Sequence, residues 1–323
     1  MTSKRRRDRS RISALCYSAA MLKRHGVVAA RIALAVALIT ASGCGGDGPQ
    51  SSQWELTFSD EFDRAAGAGV DTSKWIYDIG TAYPGGLPDW GAGEVAYMTD
   101  DPANVSHDGR GHLAITPLRG SGMPEWTSGR IETQRADFQP PTGGALAIEA
   151  SIQQPNVSGD AAAGYWPAFW SIGAPYRGNY QNWPGVGEIA FLESINGRSS
   201  VWGTLHCGTL EPPNPCNEYV GLSSGEVPCP DCLTGFHTYR AELDDSVTPE
   251  EIRWYLDGRN YFTVRSNEVD EATWANATDH GFILILNVAM GGGFPAAFGG
   301  GPTEATVSGV PMLIDYVRVY ERR

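Results

Sequence analysis

The sequence has few basic residues. Its 323 residues include 24 Lys and Arg against 37 Asp and Glu, which gives a net charge of −13. Residues 1–43 contribute +8 to that total, so the remainder of the chain carries −21. A strongly acidic surface repels the phosphate backbone of nucleic acids and favours solubility. We therefore expect no nucleic-acid partner.

The sequence also has little helical periodicity, and 269–277 is its one weak helix candidate. Short alternating or apolar segments recur instead between turn signals, and 40 Gly and 21 Pro supply the turns. These patterns predict an all-β fold, a two-sheet sandwich. The twelve candidate strands are 54–58, 112–117, 128–133, 145–153, 166–172, 188–193, 201–206, 237–243, 252–256, 261–264, 282–289 and 312–320.

A linker and an internal repeat are both missing from residues 54–323, which we predict to form one domain. Before it, residues 44–53 are rich in Gly, Ser, Pro and Gln and predict a flexible tether. A long hydrophobic run is missing too, because the apolar run at 32–39 is shorter than the ~20 residues of a spanning helix.

The apolar run at 32–39 follows two basic clusters and precedes Ala41-Ser42-Gly43-Cys44. Residues 1–43 therefore read as a lipoprotein-type export signal, with lipid attached to Cys44 after cleavage. Ala41 stands where Leu is preferred, so a simple secretory signal is the alternative. We expect an exported protein that is held at the outer face of the cell membrane by its lipid alone.

Six cysteines are present, and four of them follow the predicted lipidation site at Cys44: Cys207, Cys216, Cys229 and Cys232. Their spacing is compatible with a zinc site, but export favours disulfides. Three pairings are open, and the local one joins Cys207 to Cys216 and Cys229 to Cys232. Any of the three fastens a loop-rich insertion.

Two carboxylates interrupt the apolar strand at 188–193. Burying an ionised group costs several kcal/mol of hydration, so these residues need a function. Residues five apart face opposite sides of a regular strand, but one β-bulge between Ala190 and Glu193 brings Glu188, Ala190 and Glu193 to one face. Retaining glycosidases need two carboxyl groups ~5–5.5 Å apart, which such a strand can supply.

This segment resembles the Glu-Ile-Asp-Ile-x-Glu motif of the laminarinase-like glycoside hydrolases of family 16. The resemblance extends in the family's order over most of the chain after the tether, at 58–63, 128–133, 166–170, 236–239, 285–292 and 315–320. It implies a concanavalin-like jelly roll with an open groove for internal attack on β-linked polysaccharide.

The same resemblance implies that Glu188 is the nucleophile and Glu193 the general acid/base. Ala190 replaces the motif Asp, which removes a negative charge between them. We therefore expect Glu193 to titrate lower and the activity to be reduced without being abolished. A catalytically impaired, glycan-binding lipoprotein is the alternative.

Six further residues are predicted to contact the substrate. Alternation places Trp166 and Trp170 on one face, where aromatic rings suit the C–H face of a sugar. The others follow from the resemblance, and the set is Trp166, Trp170, Trp183, His206, Trp90 and Asn287.

Departures from the family pattern bear on the polymer. Ala92 replaces an Asn that often contacts sugar, and the segment 144–152 lacks the usual Arg. We expect a β-1,3-linked substrate, β-1,3(4)-glucan first and β-1,3-galactan as the alternative.

The resemblance further implies a structural Ca²⁺ bound by Glu61, Asp315 and the Gly111 carbonyl. An ordinary surface carboxylate pair is the alternative interpretation. The chemistry itself requires no cofactor, and nothing in the sequence indicates a protein partner, so we expect a monomer.

Overall fold

The computed structural model describes residues 53–323, so the predicted signal, Cys44 and nearly all of the tether lie outside the described residues. The strands are β1 Glu55–Asp60, β2 Trp75–Tyr77, β3 Ala96–Met98, β4 Val105–His107, β5 Leu113–Ile115, β6 Leu118–Arg119, β7 Trp126–Ser128, β8 Arg130–Thr133, β9 Ala145–Gln153, β10 Tyr165–Gly173, β11 Glu188–Glu193, β12 Ser200–His206, β13 Leu222–Ser223, β14 Val227–Pro228, β15 His237–Asp244, β16 Glu251–Leu256, β17 Arg259–Arg265, β18 Phe282–Met290 and β19 Met312–Arg322.

Helices are few and short within residues 53–323. Helix α1 begins after Asp270, whose carboxylate accepts the Thr273 N–H at 3.0 Å and so caps the first turn. No helix in this part of the chain is long and apolar enough to cross a membrane. The α-helices are α1 Glu271–Thr278 and α2 Gly293–Ala297, and the 3₁₀ turns are Pro88–Gly91, Gly159–Ala162, Ala174–Tyr176 and Ser266–Glu268.

Two large antiparallel sheets make up the fold, as the patterning predicted. Sheet 1 has the order β17-β16-β15-β9-β19-β5-β4, and β1 also pairs with β19. Sheet 2 has the order β13-β12-β11-β10-β18-β8-β2, and β14 also pairs with β12. A small third sheet joins β3, β7 and β6. The result is the two-sheet jelly-roll sandwich.

Each of the twelve predicted strands overlaps an observed one, and the predicted helix at 269–277 overlaps α1. The sequence pattern missed β2, β3, β4, β6, β13 and β14, which have two or three residues each. An alternation with a period of two residues cannot be recognised in so short a segment.

The core lies between the two sheets. Ile148 and Val317 from sheet 1 are fully buried in one cluster with Ile189 and Leu286 from sheet 2. Trp254 of β16 crosses this layer, and its indole N–H donates to the Ala190 carbonyl at 2.8 Å. The sheet that carries the carboxylate strand is therefore anchored directly to the opposite sheet.

A β-bulge lies in β11 where the sequence predicted it. Ala190 pairs with Thr204 and Glu193 pairs with Trp202, and the register shifts between these two pairs. The bulge turns two consecutive side chains, Phe191 and Leu192, into the main core. Burying a side chain of this size contributes ~1.5–3 kcal/mol, so core packing fixes the irregular register.

Candidate active site

The bulge places Glu188, Ala190 and Glu193 on one face of β11, the face turned away from the main core. Across β12 their partners are His206, Thr204 and Trp202 in the same order. The face therefore presents two carboxylates with a small apolar gap between them.

Glu193 is bordered by aromatic side chains. Trp166 of β10 donates its indole N–H to Glu193 Oε1 at 3.1 Å, and the Trp166 ring meets Phe294 edge to face at 5.8 Å. Burial raises the pKa of Glu193 to about 7, and the nearby negative charge of Glu188 adds to this. Glu193 is thus protonated near neutral pH, as a general acid must be.

The expectation drawn from Ala190 compares this site with one that keeps the motif Asp, and it stays a prediction. The sequence suggested that loss of the motif Asp would make Glu193 titrate lower. In the structure burial is the dominant influence, and the pKa of Glu193 stands above its ordinary value even without a third acidic group on the strand.

Glu188 has two partners that favour its charged form. Trp183 donates its indole N–H to Oε2 at 2.9 Å, and His206 Nε2 lies 3.9 Å from Oε1. Burial raises the pKa of Glu188, while the positive charge of His206 and the Trp183 bond act in the opposite direction. The two carboxyl groups therefore have different surroundings, which separates their protonation states.

His206 is bound by a carboxylate that lies outside sheet 2. Its Nδ1 lies 2.7 Å from Glu218 Oε2, and the Glu218 side chain is 0% exposed. Burial alone would lower the pKa of His206, but the Glu218 hydrogen bond and the charges of Glu188 and Glu193 outweigh it and raise the pKa to about 9. His206 is a cation at neutral pH.

Two other predicted residues, Trp170 and Asn287, bind each other instead of a catalytic carboxylate. The Trp170 indole N–H donates to Asn287 Oδ1 at 2.8 Å, and Asn287 is buried. The guanidinium of Arg130 lies 4.9 Å from the Trp170 ring and 4.5 Å from the Trp90 ring. Trp90 thus belongs to an aromatic cluster around Arg130, and its contact with substrate stays a prediction.

The rim beside Glu188 is aromatic as well. Trp183 stacks on Tyr219 at a centroid distance of 5.9 Å, and Tyr219 is 73% exposed. With Trp166 and Phe294 near Glu193, aromatic rings border both carboxylates. Such rings suit the apolar faces of successive pyranose units.

The structure pairs the cysteines locally, with disulfides Cys207–Cys216 and Cys229–Cys232. Within residues 53–323 the only cluster of three metal-type ligands contains Cys229, Cys232 and His237. Its two sulfurs are bonded to each other and are not free to bind zinc, so the disulfide interpretation holds. We call residues 207–221, whose first ten residues are closed by the disulfide Cys207–Cys216, the fastened loop.

The predicted calcium ligands do not fit a cation in this arrangement. Glu61 uses both carboxylate oxygens in an ion pair with Arg318, at 3.0 and 2.7 Å. A guanidinium at that distance repels Ca²⁺ and occupies the oxygens that Ca²⁺ needs. Calcium binding by Glu61, Gly111 and Asp315 stays a prediction that this geometry does not favour.

Sequence reasoning missed Glu218, Tyr219 and Phe294 as site residues, and treated Arg130 only as part of a motif. Tyr219 lies in a loop and Phe294 in the five-residue helix α2, and neither segment has a recognisable periodic pattern. An acidic residue two positions after Cys216 was the available signal for Glu218, but no local rule connects it to His206.

Comparison with known proteins gives several clear relatives, although no protein-family model matches the chain. A β-glucanase of Rhodothermus marinus is 32% identical over 296 residues, which are 88% of this chain and 91% of that protein. The crystal structure of an endo-1,3-β-glucanase from Streptomyces sioyaensis is 58% identical with a TM-score of 0.81, covering 85% of this chain and 99% of that one. An endo-β-1,3-glucanase from Pyrococcus furiosus is 30% identical with a TM-score of 0.66, covering 85% and 97%.

Proposed function

The chain belongs to the laminarinase-like glycoside hydrolases of family 16, and from this premise we propose that it cleaves β-1,3-linked glucan internally and with retention of configuration. It is an enzyme that hydrolyses O-glycosyl bonds. One observation carries the proposal. Two largely enclosed carboxylates, Glu188 and Glu193, share one face of a bulged strand and receive hydrogen bonds from different tryptophans.

In the first step Glu188 attacks the anomeric carbon as a carboxylate. The glycosidic C–O bond breaks, Glu193 gives its proton to the departing oxygen, and a covalent glycosyl ester forms on Glu188. The pKa of about 7 at Glu193 supplies the proton near neutral pH. His206, a cation 3.9 Å from Glu188, favours the ionised nucleophile.

In the second step Glu193 acts as a base. It takes a proton from a water molecule, whose oxygen bonds to the anomeric carbon while the ester bond to Glu188 breaks. Glu188 leaves as a carboxylate and Glu193 ends protonated, so both groups return to their starting states.

Glucan is the preferred polymer because the named relatives act on it: endo-1,3-β-glucanases from Streptomyces sioyaensis and Pyrococcus furiosus, and a β-glucanase from Rhodothermus marinus. The β-1,3-galactan alternative rested on Ala92, Ala190 and the cysteine-bridged insertion, whereas the three relatives named above are glucanases. The binding-only alternative rested on a weakened acid, which the raised pKa of Glu193 does not favour.

Hydrolysis tests the proposal directly. We expect release of reducing ends from laminarin, little from β-1,3-galactan, and the β-anomer as the first product seen by proton NMR. Glu193→Gln should cost ~10²–10⁴-fold in kcat, and Glu188→Gln should lose turnover, while both retain binding. Glu149→Gln in sheet 1, where Glu149 pairs with Arg240, is the matched control. Turnover unaffected by Glu188→Gln, or no release from any β-glucan, would refute the proposal.

We also propose, from residues 1–44 alone, that the enzyme is exported and held at the membrane by lipid on Cys44. The support is the basic start, the apolar run at 32–39 and the small residues before Cys44. Metabolic labelling with a fatty acid should mark the membrane fraction of the wild type. Cys44→Ser should abolish the label, and a Cys44→Ser protein that still carries lipid would contradict the assignment.

A further inference from the structure

Glu218 is a buried carboxylate whose two oxygens are both bonded within the site. Oε2 accepts from His206 Nδ1 at 2.7 Å, and Oε1 accepts from the Cys207 backbone N–H at 2.9 Å. A buried charge is costly unless every lone pair it offers is engaged, and this one is engaged by two donors on the end of β12. The carboxylate is therefore fixed in position.

The fastened loop is built to hold Glu218 there. The Asn214 side chain accepts the Glu218 N–H at 2.6 Å and donates to the Glu218 carbonyl at 2.8 Å. The loop returns to β12 at Gly221, where a Cβ would lie 2.6 Å from Thr204 Cγ2 and 3.0 Å from His206 Nδ1. Glycine at this position permits the close approach that puts Glu218 against the histidine.

The remaining ring nitrogen of His206 faces the nucleophile. With Nδ1 bonded to Glu218, Nε2 is directed at Glu188 Oε1, 3.9 Å away. The catalytic strand has Ala190 where a third acidic side chain would stand, so β11 itself supplies no orienting partner for this ring. The contacts of His206 with Glu218 on one side and Glu188 on the other thus connect the fastened loop to the nucleophile.

We propose that Glu218 is a positioning residue for hydrolysis, which holds the His206 imidazolium in one orientation so that its Nε2–H faces Glu188 throughout both steps. The inference rests on the proposed function of Glu188. A carboxylate that fixes one nitrogen of an imidazole determines what the other nitrogen does.

The consequence is an electrostatic one. The charged groups that face His206 are Glu218 from the loop and Glu188 and Glu193 from β11, and the uncharged Trp183 ring lies 5.5 Å from it. With Glu218 present, His206 is a cation that stabilises the carboxylate form of Glu188 before attack. It also stabilises the negative charge that returns to Glu188 when the glycosyl ester breaks.

Glu218→Gln tests the proposal, because it keeps the size of the side chain and removes its charge. We expect kcat on laminarin to fall ~10–100-fold with little change in KM, and the acidic limb of the kcat/KM profile to move to higher pH. Glu211→Gln, an exposed acidic residue of the same loop, should leave both unchanged.

A double-mutant cycle with His206→Gln distinguishes positioning from simple structural support. If Glu218 acts through His206, Glu218→Gln should cost little more once His206 has been replaced. Additive losses, or a folded Glu218→Gln enzyme with unchanged kcat and acidic limb, would overturn the proposal. Wild-type protein that is inactive on every β-glucan would instead overturn the proposed function.

Asn214→Ala gives a second route should Glu218→Gln fail to fold. It leaves the carboxylate in place and removes the two bonds that hold its backbone. We expect a smaller shift of the acidic limb in the same direction, checked beside thermal unfolding. A folded Asn214→Ala enzyme with the wild-type pH profile and kcat would count against a positioning role.

Discussion

Replacing Trp183 by Phe removes a hydrogen bond from Glu188, and replacing Trp166 by Phe removes one from Glu193. The lost bonds have similar lengths, 2.9 and 3.1 Å, and each favours the charged form of its carboxylate. Each substitution therefore raises the pKa of a different catalytic group. The effects on activity differ because Glu188 must be ionised to attack and Glu193 must be protonated to act as an acid.

The size of each shift follows from the strength of the bond. A hydrogen bond to a charged acceptor contributes ~1.5–3 kcal/mol, and one pKa unit corresponds to ~1.4 kcal/mol, so each carboxyl pKa should rise by about 1 to 2 units. In Trp183→Phe the acidic limb of the kcat/KM profile moves up, and activity is lost at low pH. In the wild type the basic limb lies near pH 7, because Glu193 has a pKa of about 7. In Trp166→Phe this limb moves to higher pH.

The assay is a pH profile of kcat/KM on laminarin, read for the positions of the limbs rather than their heights, since both tryptophans are also predicted to contact the substrate. Trp170→Phe is the matched control. It lies on the same strand as Trp166 but donates to the neutral Asn287, so neither limb should move. Exchange of the two shifts would reverse the assigned roles, and no shift in either variant would refute the reasoning.

Two further predictions concern Ala190 and the disulfides. Ala190→Asp should bring no gain in kcat on laminarin, because Glu218 already forms a hydrogen bond with His206. A third acidic group would also favour the protonated form of Glu188. A large gain in kcat would mean that the present site is impaired. Removing the disulfide Cys207–Cys216, which spans 9 residues, should cost roughly 2–3 kcal/mol in the free energy of unfolding and also lower kcat by loosening Glu218. Removing the disulfide Cys229–Cys232, which spans 3 residues, should cost about 1.5 kcal/mol in the free energy of unfolding and leave kcat unchanged. Urea denaturation measures the stability of both variants, and laminarin hydrolysis measures their kcat. Equal loss of kcat in the two variants would contradict the role of the fastened loop.

Much of the fold was available from the sequence because it is encoded locally. Alternating apolar residues marked the long strands, and the structure agrees with all twelve to within a few residues. The five-residue separation of Glu188 and Glu193 required a bulge, because two carboxylates in an apolar strand must share a face to share a task. The observed register contains that bulge. The nearest cysteines in the chain are also the ones that pair.

Only the tertiary structure decided which side chains from distant segments of the chain contact each other. Glu218 reaches His206 because a disulfide, Asn214 and Gly221 fold the loop back onto β12, and no periodic pattern records such a return. Glu61 forms an ion pair with Arg318, which lies near the C-terminus of the chain. The pKa of Glu193 is raised because of how deeply neighbouring segments enclose it.

The sequence by itself thus determined the catalytic strand, its bulge and the two carboxylates, since these depend on the spacing of residues along one segment. The tertiary structure decided their protonation and their supporting partners, since burial and Coulomb interactions depend on distances between segments far apart in the chain. The missing Asp at position 190 illustrates the division. The sequence alone shows only that an acidic side chain is absent from the strand. In the folded molecule His206, beside Glu188, has the carboxylate of Glu218 from another part of the chain as its partner.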